Sequence, residues 1–163
     1  MAVAAPSVSR VRVDGKFFRL GEEKFFAKGV AYGPFAPNAA GLPFASPEQT
    51  ARDFAQICEL GANLIRVYHV PAKWFLDLAA ERGLKVLVDI PWSQHLCFLD
   101  SSARRAEARD AVRRAVRACG RHPAVFAFSV ASEISPDIVR WSGAQAVADF
   151  IDKLVGEAKR ADP

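Results

Sequence analysis

Asn63-Leu-Ile-Arg-Val-Tyr-His69 and Lys85-Val-Leu-Val-Asp-Ile-Pro-Trp92 are two apolar runs separated by a stretch that closes on Gly83. Each run is rich in Val, Ile and Leu and too short for a helix. That pattern reads as a strand covered on both faces. The intervening residues, Ala72 to Arg82, read as a helix, and Gly83 supplies its stop. Strand, helix, strand implies a right-handed crossover and a parallel pair.

The same unit recurs on both sides. Toward the C-terminus come a helix from Ser101 to Cys119 stopped by Gly120, a strand from Val125 to Ile134, and a helix from Ala144 to Arg160. That last helix carries Val147, Phe150, Ile151, Leu154 and Val155 on one stripe. Toward the N-terminus, Lys28 to Tyr32 reads as a strand running into a loop rich in Pro and Gly, Gly33 to Ala45. Ser46-Pro47-Glu48-Gln49 then opens a helix. Ser46 caps the free amides, Pro47 suits the first helical position, and Gln49 is placed to reach back and complete a capping box. Ala51, Phe54, Ile57 and Cys58 form its apolar face, and Gly61 ends it. Ahead of all this, Val11 to Phe18 alternates around Asp14-Gly15, a hairpin signal, and Gly21-Glu22 marks a second turn before Lys24-Phe-Phe26.

The expected fold is therefore α/β. Residues 28–163 hold four strand–helix units of about 34 residues each, close to the ~31 that a (β/α)8 TIM barrel of ~250 residues spends on each unit. The spacing suits the first four units of such a barrel, preceded by an N-terminal β-hairpin. A four-stranded open α/β sheet is the alternative. No glycine-rich phosphate loop follows any strand, which speaks against a nucleotide-binding version. The expected organisation is a disordered N-terminus over 1–9, an entry hairpin over 10–27, and a half-barrel over 28–163.

Composition sets the outer bounds. The chain has 163 residues, of which 51% are hydrophobic, which excludes disorder and suits one domain. No apolar run approaches the ~20 residues of a membrane-spanning helix. Met1 to Pro6 lacks a basic region and does not read as a signal peptide. The net charge of +4 comes largely from Arg104 to Arg121 and gives no reason to propose nucleic acid as a partner. Within that segment Arg105, Arg109, Arg113 and Arg117 recur every four residues, and the expected reading is a solvated helix face. The three cysteines, Cys58, Cys97 and Cys119, are widely spaced among apolar neighbours. Free thiols and a reducing, cytoplasmic setting are expected. His69 and His95 are not spaced as a metal pair, so neither a metal nor a cofactor is expected. His122, before Pro123 at a strand entry, reads as structural, and Trp74 and Phe75 as core. Trp141 is open between lid and packing.

Parallel α/β folds place their chemistry at the carboxyl ends of the strands. The polar residues expected there are Arg66, Tyr68 and His69 after one strand, Asp89 and Trp92 after the next, and Ser132 and Glu133 after the last. If the final strand runs to Ile134, alternation carries Glu133 inward with Ala131, Ser129, Ala127 and Val125, and turns Phe126, Phe128 and Val130 toward the helices. A carboxyl shielded by aromatics titrates high and serves as a general acid. A plain surface carboxylate is the competing reading of the same spacing.

His122-Pro-Ala-Val-Phe-Ala-Phe-Ser-Val-Ala-Ser-Glu133 resembles the fourth-strand signature of clan A glycoside hydrolases, the retaining β-glycosidases of the family 2 and family 5 type. Gly61-Ala-Asn-Leu-Ile-Arg66 is similar to their second strand, Phe75 to Asp89 to the following helix and third strand, and Val13-Asp-Gly-Lys-Phe-Phe18 with Lys28-Gly-Val30 to their entry hairpin and first strand. The resemblance runs from Val11 to Pro163. It implies that Glu133 is the acid/base and that Arg66 supports the nucleophile's carboxylate. Trp92, Tyr68 and Tyr32 are implied sugar platforms, and Ser132, His69 and Asp89 complete the implied substrate contacts. The implied substrate is an oligo- or polysaccharide, with β-linked glucans hydrolysed or transglycosylated; barrels of this kind also occur attached to glucan-synthesising glycosyltransferases.

Two departures stand out. Ser132 occupies the position where these families carry an Asn that binds the sugar 2-hydroxyl, and a hydroxyl lacks the paired donor and acceptor of an amide. The families' nucleophile belongs to a seventh strand, and only four strand–helix units are legible here. Asp89, on a neighbouring strand, does not match the nucleophile's place. Two functional readings follow: a glycoside hydrolase or transglycosylase domain that is incomplete as this chain, or a non-catalytic carbohydrate-binding or scaffolding half-barrel. The outer strands would present unpaired edges, so self-association or a missing C-terminal half is expected.

Overall fold

The computed structural model of the protein describes residues 9–38 and 41–163; the disordered N-terminus expected over 1–9 lies outside them except for Ser9. The elements among the described residues, in chain order, are β1 (Val11–Asp14), β2 (Phe17–Leu20), β3 (Glu23–Phe25), β4 (Gly29–Ala31), α1 (Pro47–Glu59), β5 (Leu64–Val67), α2 (Lys73–Glu81), β6 (Lys85–Asp89), α3 (Ser102–Cys119), β7 (Val125–Ser129), α4 (Pro136–Ser142) and α5 (Ala144–Ala161). β1, β2 and β3 form an antiparallel meander, because both turn signals are used: Asp14 pairs with Phe17 and Leu20 with Glu23. Gly15 and Gly21 take φ of 59° and 62°, which a side chain would resist. The second sheet has the order β4-β5-β6-β7. Ile65 sits opposite Val30 on one side and Val86 on the other, both pairings parallel. The Val86 amide donates to Ala124 O (2.7 Å) and the Ile90 amide to Ser129 O (3.0 Å), which brings β7 beside β6 in the same direction.

The chain divides into two compact units. The first takes the described residues up to Val67 together with Pro71–Val88 and His122–Ala127; the second takes Tyr68–Val70, Asp89–Arg121 and Phe128–Pro163.

In the first unit, α1 starts where the sequence placed it. Ser46 Oγ accepts the Gln49 amide at 3.2 Å. The reciprocal half of the capping box does not form, because the Gln49 carboxamide donates to Asp53 Oδ1 (2.6 Å) and accepts from Arg52 (2.7 Å) instead. Ile65, Val67, Phe54, Phe75, Val86 and Val88 have no exposed surface. Burying side chains of this size is worth about 1.5–3 kcal/mol each. Phe126 does not turn to a helix as alternation suggested. Its ring meets Phe18 edge-on at 4.9 Å and Phe25 at 5.8 Å, which ties the strand to the meander. At the entry of β6, Lys85 is buried. Its ammonium donates to Ser9 O (3.0 Å) and Pro123 O (2.8 Å), and burial pushes its pKa down. His122 Nε2 lies 3.1 Å from Asp77 Oδ1, and its Nδ1 accepts the Ala124 amide (3.2 Å), which gives it the structural place expected.

In the second unit, α3 and α5 share a core with Ile90, Trp92 and Phe98. Val112, Val116, Phe150 and Leu154 belong to it, and Phe128 packs against it. The arginines of α3 are not one solvated face. Arg105 donates to the Leu99 carbonyl, and Arg113 bonds Asp110 and reaches Glu157 of α5 at 3.4 Å. Trp141 is exposed, with its indole N–H on Asp100 Oδ2 (2.8 Å). The sequence reading did not separate α4 from the strand end before it. Its signal is Ser135-Pro136-Asp137, the same cap-and-proline start as α1, with Ser135 Oγ accepting the Asp137 amide at 3.3 Å. No helix among the described residues is long and apolar enough to cross a membrane.

Candidate active site

The final strand stops at Ser129, not at Ile134, and the reason is visible in its backbone. Beyond Ser129 the chain is held by side chains. Trp92 Nε1 donates to Val130 O (2.7 Å), Ser129 Oγ to Ala131 O (2.8 Å), and the Ser132 amide to Gln94 Oε1 (3.0 Å). Three consecutive residues are therefore fixed without a strand ladder, and strand alternation does not govern where Glu133 points. Glu133 follows this braced segment directly and is exposed. It lines an open cleft of about 500 Å3 with His95, Ser132, Ile134, Ser135 and Pro136. The carboxyl group thus stands on a rigid loop at the carboxyl end of β7, where parallel α/β folds carry their chemistry.

Of the residues that the sequence assigned to the site, Tyr32 and Arg66 belong to the first unit, and Tyr68, His69, Asp89, Trp92, Ser132 and Glu133 to the second. Arg66 is half-buried on β5, opposite Leu87, between the fully buried Ile65 and Val67. Its carbonyl accepts the Tyr32 amide at 2.9 Å. Tyr68 and His69 follow the end of β5 and are half-buried. Asp89 closes β6 and is buried.

Two expected sugar platforms are core residues instead. Trp92 packs edge-on against Phe98 (5.0 Å) and Phe150 (6.1 Å), so neither shields Glu133 nor offers a flat face. Tyr32 lies among Phe35, Phe54 and Phe75, and its hydroxyl donates to Asp53 Oδ2 at 2.7 Å. Burial, ahead of the Asp53 contact, pushes its pKa up to about 12. The resemblance implies these rings as platforms, since a flat face covers a pyranose, but a tertiary core claims both. The sequence reading missed Gln94, which braces the Glu133 loop, and it weighed His95 only as a metal ligand. The signal for both was their place in the loop after β6.

A cavity of about 490 Å3 lies in the first unit, lined by Leu20, Asp77, Lys85 and His122 among others. It sits at the amino ends of β6 and β7, the end where barrel enzymes build stability and not catalysis.

Strand–helix units in a parallel sheet, with an exposed carboxylate braced beyond a strand's carboxyl end, match the strand-end arrangement of barrel enzymes. The protein belongs to glycoside hydrolase family 72, the glucanosyltransferases, whose family model matches residues 1–150. It is 33% identical over 98 residues to the 1,3-beta-glucanosyltransferase gel1 of Aspergillus fumigatus, covering 54% of this chain and 22% of that protein. It is 37% identical over 103 residues to the 1,3-beta-glucanosyltransferase gas1 of Schizosaccharomyces pombe, covering 55% of this chain and 19% of that one. The aligned segments thus span about a fifth of these relatives. Among solved structures, a Bifidobacterium dentium beta-glucuronidase superposes on 95% of this chain and 25% of its own with a TM-score of 0.79 at 20% identity. A Ruminococcus gnavus beta-glucuronidase gives 0.73 at 17% identity, over 94% of this chain and 26% of its own. These likenesses show the fold: an α/β (β/α)8-type barrel, of which this chain carries about the first four units.

Proposed function

We propose that this chain provides the acid/base side of a retaining transglycosylation site for β-1,3-linked glucan, with Glu133 as the acid/base. The observation that carries the reading is the braced loop. Val130, Ala131 and Ser132 are each pinned by a side chain, and the next residue presents a carboxyl into an open cleft at the carboxyl end of β7. Membership of the glucanosyltransferase family and the names of the relatives support the substrate class.

In the first step, the Glu133 carboxyl gives its proton to the leaving glycosidic oxygen while a second carboxylate attacks the anomeric carbon. In the second step, the Glu133 carboxylate takes a proton from the incoming sugar hydroxyl, and the glycosyl unit passes to that oxygen. In this scheme Tyr68, His69, Asp89 and Ser132, all of the second unit with Glu133, contact the sugar. The two carboxyls of a retaining pair stand about 5–5.5 Å apart. The described residues lining the Glu133 cleft include no second one, so the partner carboxylate comes from outside that lining.

The test compares this chain and its Glu133→Gln variant on β-1,3-gluco-oligosaccharides, with products separated by length. Products longer than the substrate, lost in the variant, uphold the proposal. Turnover that survives Glu133→Gln removes Glu133 from the role. Binding without bond cleavage in both proteins identifies a carbohydrate-binding module instead.

A further inference from the structure

Gln94 is 8% exposed and follows Trp92 in the loop after β6. Its backbone amide donates to Trp92 O (2.7 Å), and its side-chain oxygen accepts the Ser132 amide (3.0 Å). Because the Ser132 N–H is a donor, the atom facing it is the carboxamide oxygen, which fixes which end of the side chain carries the NH2. That NH2 has no hydrogen-bond partner among the described residues. Nor is it sealed in the core: Ser142 Oγ is the fully enclosed side-chain polar atom without a partner among the described residues, and the Gln94 NH2 is not such an atom. The carboxamide is therefore clamped by its oxygen against the residue preceding Glu133, and its nitrogen keeps contact with solvent.

We propose that Gln94 is a substrate-binding residue whose NH2 donates a hydrogen bond to a hydroxyl of the sugar unit held at Glu133. The inference rests on the glycan reading of the cleft given above. A hydroxyl oxygen is the acceptor that suits a neutral amide donor. The clamp on Ser132 means that the donor is positioned before the ligand arrives, so little side-chain entropy is lost on binding. The same clamp links the donor to the backbone that carries the acid/base, so sugar and carboxyl are placed from one fixed segment.

The experiment measures binding of laminaritetraose and its monodeoxy analogues to the full chain by calorimetry, for the parent, Gln94→Glu and Gln94→Met. Gln94→Glu keeps an oxygen for the Ser132 amide and removes the donor; Gln94→Met removes both. The expected result is about fivefold weaker binding of laminaritetraose to Gln94→Glu, the size of one neutral hydrogen bond. One monodeoxy analogue should lose the same factor against the parent and nothing further against either variant. That non-additivity is a signature that a purely structural role would not produce. Parent-like affinity in both variants, or additive losses for every analogue, overturns the role of Gln94 while leaving the glycan reading intact. Absence of glucan binding by the parent overturns the glycan reading and this inference with it. If Gln94→Met fails to fold, the Gln94→Glu comparison stands alone and decides.

Discussion

Trp92 Nε1 donates to the Val130 carbonyl across 2.7 Å inside the core of the second unit. Val130 is itself buried, so this carbonyl has little access to water. Trp92→Phe keeps an aromatic ring against Phe98 and Phe150 but strands the acceptor. Leaving a buried polar group unpaired costs about 1–3 kcal/mol, and urea unfolding should show a loss of that size. Trp92→Ala adds a cavity and should reach about 3–5 kcal/mol. A Trp92→Phe variant as stable as the parent would show that the bond contributes nothing to the brace under Glu133.

Gly120 follows α3 in ordinary right-handed helical geometry, with φ of −57°, so its backbone does not call for glycine. Space does. A Cβ there would stand 2.5 Å from Val116 O and 2.9 Å from Asp162 Oδ2. Helix propensity alone predicts that Gly120→Ala stabilises by about 1 kcal/mol. The close approach predicts the reverse, because a backbone oxygen cannot move aside without disturbing the last turn of α3. Thermal unfolding of Gly120→Ala decides between them, and a lower midpoint is expected.

The period of strands and helices was legible because every strand is short, apolar and fenced by a glycine or a cap; Gly61 and Gly83 take φ of 78° and 71° where their helices stop. That Glu133 lies beyond the carboxyl end of the last strand was legible for the same reason. What was not legible is where β7 ends. Val125 to Ile134 reads as one strand, yet the Trp92 indole, the Gln94 carboxamide and the hydroxyl of Ser129 itself satisfy the backbone after Ser129. The first two are tertiary hydrogen bonds across 38 residues, and no local pattern encodes them. The misplacement of Tyr32 and Trp92 has a similar root. Amphipathic rings serve core and ligand equally well, and only their neighbours, Asp53 for one and Val130 for the other, reveal which use is made.

The Tyr32 hydroxyl bonded to Asp53 makes stability sensitive to alkali. The phenol's pKa is pushed up to about 12 in the folded protein, first by burial, against about 10 in an unfolded chain. The unfolded state therefore releases this proton first. The stabilisation is fully present below pH ~10 and is lost as pH rises through the folded value. Tyr32→Phe should flatten the alkaline limb of stability between those two values, and should delete from the ultraviolet titration a phenolate transition centred near 12. A deleted transition centred near 10 would mean that burial does not hold the proton.

Among the described residues β4 and β7 are the outer strands of the four-stranded sheet, each with a neighbour on one side only. An outer strand offers a row of amides and carbonyls to any further strand that can lie beside it. No proline interrupts either β4 or β7, and β7 carries Phe126 and Phe128, so neither edge is blunted in the usual ways. The expected outcome is concentration-dependent association of this chain, seen as a rise in mean mass by light scattering as the protein is concentrated. Amide exchange should slow in β4 and β7 as the mass rises, while amides within α5, which is outside the sheet, keep their rates. A constant monomer mass across the whole concentration range would show that these edges do not recruit one another.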